Sequence, residues 1–326
     1  LAGRYLGAVT IIIIIGVVKM LVSVDHGNKQ IKTKSSIFTS GLTKSESRPA
    51  FGEIIFYEGS YYALSEKRIP HMWDKTIDDN FFILTLFAIA KEIIAMGMYT
   101  DKEAVEIELL AGLPPAHYGA QYKNFEAYFK NRGVIKFEHE EKEFTVVIKE
   151  VATYPQAFAA TMHIYNEISS LKKVFVIDIG GFTVDYLVLK QGNAILEESD
   201  SLNRGVITLY NTIKSKVIGA FGLTLDESDM DLIISGEATG YGDDVIGFIK
   251  TIVAKYVEDL FGELRERGMD LKTGKTVFVG GGSLLLKKFI QKTVSYSEPR
   301  FIENIKANLE GYETLYNLEH RGGRDE

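Results

Sequence analysis

The amino-acid sequence predicts an α/β protein of two duplicated halves that face each other across a cleft built for a polyphosphate. Three observations carry this expectation. The segments V-D-H-G-N-K-Q-I-K (24–32) and V-I-D-I-G-G-F-T-V-D (176–185) share one layout: an apolar β-type run, an aspartate at its end, a glycine two residues on, then small or polar residues. A third segment, T-V-F-V-G-G-G-S (276–283), repeats the run and the glycines without the acid. Glycines let backbone N–H groups approach phosphate oxygens closely, and strand-end aspartates suit a hydrated Mg²⁺ that needs only one or two carboxylates. A single D-x-G after a strand is also an ordinary turn. Two copies and a glycine-rich third loop in one chain turn the reading toward a nucleotide.

The elements follow from local chemistry. The run M-L-V-S-V (20–24) is a strand that enters the first loop. Short strand-like runs at 52–57 and 61–64, joined by E-G-S, signal a hairpin. The apolar stretch 80–98 has helical length and predicts a buried helix. Residues 105–110 alternate apolar and acidic, as a strand does, and G-L-P-P (112–115) is expected to be loop. A helix is predicted over 122–131, a hairpin over 133–151, and an Ala-rich helix from about Pro155, where proline is tolerated near the start, to about 170. The second half opens with strand 174–178, returns as 184–190 and continues as 194–199. Helices are predicted near 206–218, 243–267 and 284–291, with strand 276–279 running into the G-G-G loop. The halves are expected to be 20–170 and 171–308, with 309–326 returning to the first.

Composition narrows the function classes. At 326 residues, 46% hydrophobic and 25% charged, the chain is long enough for two folded domains. A net charge of −7 argues against broad binding to bare DNA. Cysteine is absent, which excludes disulfides, thiolate zinc sites and cysteine nucleophiles and fits a reducing cytoplasm. The six histidines show no metal-ligating spacing. The thirteen residues 6–18 are strongly apolar but too few to span a bilayer, which needs about 20. Residues 1–19 therefore read as an extension of uncertain origin, with Met20 as a natural start; membrane contact, an added strand or a subunit contact are the alternatives.

These residues resemble the superfamily of actin, heat-shock chaperone and sugar-kinase ATPases, whose signature is two phosphate loops, an adenosine loop and two connecting helices. Within it they are most similar to the ParM group of plasmid-encoded bacterial actin-like proteins. V-I-D-I-G-G-F-T-V-D resembles the second phosphate loop, V-F-V-G-G-G-S the adenosine loop and P-Q-A-F-A-A (155–160) the first connecting helix. G-L-P (112–114) and N-I-K-A-N-L-E-G-Y (304–312) resemble the inter-domain elements. The implied fold is actin-like, with two ribonuclease-H-like halves and ATP or GTP bound with Mg²⁺ between them.

Roles follow from the resemblance. Asp25 and Asp178 would hold Mg²⁺ across the cleft, largely through water. Gly27, Asn28, Gly180, Gly181 and Thr183 would supply backbone or side-chain donors to the phosphates, with Phe182 in the same second loop also on the nucleotide, and Lys32 would neutralise the β and γ phosphates. Gln156 would orient the attacking water, with a glutamine that satisfies only backbone as its alternative. Asp185 would assist water or metal, or pair with a nearby base. Gly205 is expected beside the ribose, and Gly280, Gly281, Gly282 and Ser283 against the α-phosphate and adenine. Lys214 and Lys216 would touch base or ribose, or form a solvated face. His26 departs from the pattern, and no chemistry is assigned to it.

Fold alone does not choose among the superfamily's functions. A chaperone would need a substrate domain that the chain after Tyr312 is too short to hold. A sugar or acetate kinase and a membrane-associated cell-shape actin are the alternatives. The implied function is a cytoplasmic, filament-forming ATPase that segregates plasmid DNA. Mg-ATP would drive head-to-tail assembly, and hydrolysis would drive disassembly. An adaptor protein on a centromere-like site would reach the DNA, with no direct nucleic-acid or membrane contact.

Overall fold

A computed structural model describes residues 18–101, 103–294 and 298–321. The apolar segment 6–18 lies outside these residues apart from Val18, which begins the first strand.

The first half opens with strands β1 (Val18–His26), β2 (Gln30–Lys32), β3 (Ile37–Thr39), β4 (Leu42–Ser45), β5 (Ile54–Tyr57) and β6 (Ser60–Leu64). Helix α1 (Asn80–Ala95), β7 (Val105–Leu113), α2 (Pro115–Lys130), β8 (Val134–His139) and β9 (Lys142–Pro155) complete it. A 3₁₀ segment (Ala159–Ile164) and the short α3 (Tyr165–Ile168) lead to the second half. That half contains β10 (Val174–Ile179), β11 (Val184–Lys190), β12 (Asn193–Leu202), α4 (Val206–Phe221), α5 (Glu227–Ser235) and α6 (Asp243–Glu266). Then come β13 (Lys275–Val279), α7 (Gly281–Leu285), α8 (Lys287–Thr293), β14 (Arg300–Phe301) and α9 (Ala307–Arg321).

The duplication is visible in the strand order. The second sheet runs β12-β11-β10-β13-β14, and the first contains the same third-second-first-fourth-fifth order as β3-β2-β1-β7-β9, extended by β8-β5-β6-β4. In both halves the first strand pairs antiparallel with the second and parallel with the fourth. Register follows burial. In β10 alternate residues Phe175, Ile177 and Ile179 face α4, α5 and α6, while Val174 and Val176 face the 3₁₀ segment, so every position is apolar or buried. Helix α1 is buried without a break from Phe81 to Ala90, and with Phe125 and Phe129 of α2 it covers one face of the first sheet. Helix α9 covers the other, with Leu309, Tyr312 and Tyr316 against Leu110 and Tyr154. Burying such side chains contributes roughly 1.5–3 kcal/mol each.

Several boundaries differ from the sequence expectation. Gly112 and Leu113 belong to β7, paired with Tyr154 and Pro155 of β9, and α2 begins at Pro115 rather than near Tyr122. Tertiary pairing carries the strand through the glycine, and Pro115 starts the helix because its missing N–H is no loss in a first turn. Pro155 ends a long strand and does not start a helix; the Ala-rich stretch forms a turn and the 3₁₀ segment. Helices α5 and α9 were not predicted as helices. The signal for α5 is present in L-D-E-S-D: Asp226 caps the Asp229 N–H, the Asp229 side chain returns the bond, and Gly236 closes the end with φ 82°.

Candidate functional site

The two aspartate loops and the G-G-G loop line a single cavity of about 660 Å³ between the halves. Its walls include Asp25, Gly27, Asn28, Lys32, Gln156, Asp178, Gly180–Thr183, Asp185 and Gly280–Gly282. Residues far apart in sequence meet here because β1 and β10, the corresponding first strands of the two repeated sheet motifs, both end at the cavity.

On the first-half side, Asp25 is buried and accepts twice. Gln156 Nε2 donates to Oδ1 at 2.8 Å and Lys32 Nζ to Oδ2 at 3.1 Å. Asp25 and Lys32 face each other across the β1–β2 hairpin, and the Asp25 charge raises the Lys32 pKa above its ordinary value. Gly27 is required by space, since a Cβ there would fall 2.6 Å from the Gln30 carbonyl. Asn28 buries its Oδ1 in this wall without a hydrogen-bond partner.

On the second-half side, Asp178 and Asp185 are register partners in β10 and β11. Burial pushes Asp178 up to about 7, helped by the neighbouring Asp185 charge, and burial pushes Asp185 up to about 6. Asp178 is held by Asn308 Nδ2 at 3.4 Å, and a Cβ at Gly280, whose φ is 84°, would fall 2.1 Å from its Oδ1. Asp185 accepts from the Thr183 and Ser201 hydroxyls. Thr183 therefore spends its hydroxyl on its own loop. Gly180 likewise donates its N–H to the Thr183 carbonyl at 2.9 Å, which closes the turn instead of offering a donor.

Other expected residues lie elsewhere. Gly205 packs outside the cavity wall: a Cβ there would sit 2.3 Å from the Gly181 carbonyl oxygen, and its N–H donates to the Phe182 carbonyl at 2.8 Å. It lets α4 press against the second loop. Lys214 lies on α4 beyond the cavity, because the turn that faces it carries Tyr210. Ser283 is fully buried behind the glycines, which line the wall with Leu285. The Phe182 ring stacks on His71 with centroids 5.1 Å apart.

Sequence reasoning missed three groups of this cavity: the side chains of α5, Asn308 and Lys75. Helix α5 closes one end of the cavity with Ser228, Asp231, Leu232 and Ser235, followed by Glu237. Asn308 bridges the Ala157 N–H, at 3.0 Å, to Asp178. Lys75 enters the cavity from the loop 65–79. His26 is wholly buried, bonded to Thr85 Oγ1 at 2.8 Å and stacked on Phe129 at 5.2 Å. Burial, with the Lys75 charge, lowers its pKa to about 3, so it is a neutral core group.

The donor set fits a Mg²⁺–polyphosphate. Among the described residues no three or more metal-ligating side chains converge, yet Mg²⁺ retains waters and phosphate oxygens and needs only one or two carboxylates. Asp25 and Asp178 are buried carboxylates on opposite walls, and desolvation leaves Asp178 in want of a cation.

Comparison with known proteins agrees with this architecture. Residues 176–292 match the family model of the archaeal actin homologue MreB-like C-terminal domain. No curated protein sequence matches the chain. Among solved structures, a 15-stranded ParM filament from Clostridium botulinum is 21% identical, with 92% of this chain and 99% of that one covered and a TM-score of 0.70. An archaeal actin homologue, Ta0583, in complex with ADP is 17% identical over 91% and 99% of the two chains, TM-score 0.71. The actin-like protein Alp7A is 16% identical over 94% and 98%, TM-score 0.73. The chain has the actin-like fold, and the resemblance read from its loops to that superfamily and to ParM holds at the level of fold.

Proposed function

We propose that this protein is a nucleotide-dependent, filament-forming ATPase of the actin-like type that segregates plasmid DNA through an adaptor protein. The observation that carries the reading is the pair of buried aspartates, Asp25 and Asp178, on opposite walls of one interdomain cavity. Each is wired to a residue of the connecting segments, Asp25 to Gln156 and Asp178 to Asn308. A group bound between them touches both halves and the hinge at once.

Mg²⁺, when bound, would supply charge neutralisation during phosphoryl transfer. Asp25 and Asp178 would hold it, and Lys32, now paired with Asp25, can share its ammonium with phosphate. Gln156 stands where its carboxamide can orient water while Asp25 fixes its rotamer; positioning is most of the catalysis that a loose phosphoryl transition state needs. The α5 end of the cavity would take the nucleoside, adenine or guanine. Closure of the halves would favour a head-to-tail contact, which builds a helical filament instead of a closed ring. The net charge of −7 accords with reaching DNA through a partner, and no helix among the described residues is long and apolar enough to cross a membrane.

The test is light scattering with parallel phosphate release after addition of Mg-ATP to the purified protein. The expected result is scattering that rises and then decays as phosphate appears. Nucleotide binding without scattering over a wide protein concentration, or phosphorylation of a small molecule, would remove the filament reading.

A further inference from the structure

We propose that Asn308 is a positioning residue: it holds a left-handed turn at Ala157 that aims the Gln156 carboxamide, and it ties that turn to Asp178 in the opposite half. The inference rests on the nucleotide reading of the cavity and adds a residue that none of the three loops contains.

The turn itself is uncommon. Among the described residues, five non-glycine positions have positive φ. Glu58, Glu140, Glu141 and Gln191 are exposed and sit in the tight turns β5–β6, β8–β9 and β11–β12, where such backbone is ordinary. Ala157, with φ 62°, is wholly buried and belongs to no hairpin. Across this one residue the Phe158 N–H returns to the Gln156 carbonyl at 2.6 Å, a γ-turn of the rare, strained sense. An L-residue rests there only when its surroundings hold it.

Those surroundings pull from two sides. The Gln156 N–H is fixed to the Leu113 carbonyl at 2.8 Å, and its Nε2 to Asp25 Oδ1 at 2.8 Å. Beyond the turn, Ala159 is pressed against α9 so closely that a Cβ at Gly311 would lie 1.9 Å from its carbonyl oxygen. Ala157 is the junction between these attachments. If it relaxed toward ordinary backbone, both could not be kept and the Gln156 carboxamide would leave its line.

One side chain reaches the turn and the far wall together. Asn308, 9% exposed, accepts the Ala157 N–H with Oδ1 at 3.0 Å. An N–H needs an acceptor and an amide offers only its oxygen, so this bond dictates how the amide is turned. Nδ2 is thereby directed at Asp178 Oδ2, at 3.4 Å. A displacement of Asp178 is passed to the Ala157 N–H by one rigid, planar group. Gln156 is therefore aimed only while the two walls keep this separation.

The experiment is single-turnover hydrolysis of Mg-ATP, with nucleotide affinity in parallel, for the wild type, Asn308→Ala, Ala157→Gly and the double variant. Asn308→Ala is expected to slow hydrolysis about tenfold or more through lost positioning, with affinity kept within about threefold. Ala157→Gly alone should stay within about twofold of wild type, since glycine adopts positive φ freely. Added to Asn308→Ala, it should recover about half of the loss on a logarithmic scale, because a glycine turn needs no holding. It should not speed Gln156→Ala, which has no carboxamide to aim. A double variant as slow as Asn308→Ala, a wild-type rate in Asn308→Ala, or a loss confined to affinity would each overturn the assignment. So would recovery in the Gln156→Ala background, since the glycine would then act elsewhere. A wild type that neither binds nucleotide nor releases phosphate would remove the reading of the cavity, and this inference with it. If Asn308→Ala does not fold, Asn308→Ser is read in the same way, because its side chain is one bond shorter and does not span both partners.

Discussion

The two halves meet along two seams of opposite character. At the hinge seam, α9 and the 3₁₀ segment cross between the sheets in contact so close that glycine is required. A Cβ at Gly311 would lie 1.9 Å from the Ala159 carbonyl oxygen, and one at Gly112 1.9 Å from the Tyr312 hydroxyl. Tyr154, Ala159, Leu309, Tyr312 and Tyr316 are all buried there. At the mouth seam the contacts are polar and partly wet. Arg68 and Glu227 each leave about a quarter of their side chain exposed, at 22% and 25%, and Lys29 reaches Tyr210 at 3.4 Å and Glu227 at 3.9 Å. Dense apolar packing is costly to separate because it exposes surface to water, whereas an exposed ion pair exchanges one set of charge partners for water at little net cost. One seam is therefore a pivot and the other a clasp, with the cavity between them.

The largest expected effect breaks the pivot. Gly311→Val forces a branched side chain into a backbone carbonyl, and overpacking of this kind costs about 3 kcal/mol or more. Chemical denaturation should show the loss. Gly281→Ala is the control, since nothing lies within 4 Å of a Cβ built there, and its midpoint should move little.

Next comes Asp178→Asn, which separates function from stability. Phosphate release should disappear while the unliganded protein becomes more stable by ~1–3 kcal/mol at pH 8, because a buried, under-compensated carboxylate is replaced by a neutral isostere. The sign follows from proton binding. The folded pKa is raised to about 7, so between about 4 and 7 the native state binds more protons than the unfolded chain, and wild-type stability falls as pH rises through that window. The advantage of the variant should accordingly vanish toward pH 4. Wild-type and variant melting curves that stay parallel across this range would show that Asp178 is compensated after all.

Gln156→Ala touches the pivot side of the cavity without filling space. Single-turnover hydrolysis is expected to slow by about tenfold to a hundredfold through lost positioning, with assembly retained. Loss of assembly at an unchanged hydrolysis rate would move Gln156 from the chemistry to the hinge.

Arg68→Ala, the smallest change, opens the clasp. Stability should fall by less than about 1 kcal/mol, yet release of a fluorescent ADP, followed by stopped flow, should quicken several-fold. A release rate equal to wild type would mean that the two seams are equally passive.

Much of the site was legible because its signals are local. Asp25 and Gly27, Asp178 and Gly180, and Gly280–Gly282 lie within a few residues of a strand end, where turn chemistry and close backbone approach dictate residue type. Lys214 and Ser283 are close to the cavity in sequence yet do not line it: Tyr210, one helical turn before Lys214, faces the cavity, and Ser283 is buried behind the glycines. Phe182 lines the cavity with its loop, and the tertiary fold adds the stack of its ring on His71.

The sequence by itself determined the duplicated α/β architecture and the three loops that line the cavity, since each rests on apolar periodicity and glycine placement within short windows. Only the tertiary structure decided the rest. Asn308 meets Asp178 across 130 positions, Gln156 meets Asp25 across 131 and Arg68 meets Glu227 across 159. Lys75 bonds the His26 carbonyl from 49 residues away. No short window of sequence encodes such pairs. They are set by which strand ends the two sheets bring together, and by the burial that makes an ammonium or a carboxylate there seek a partner.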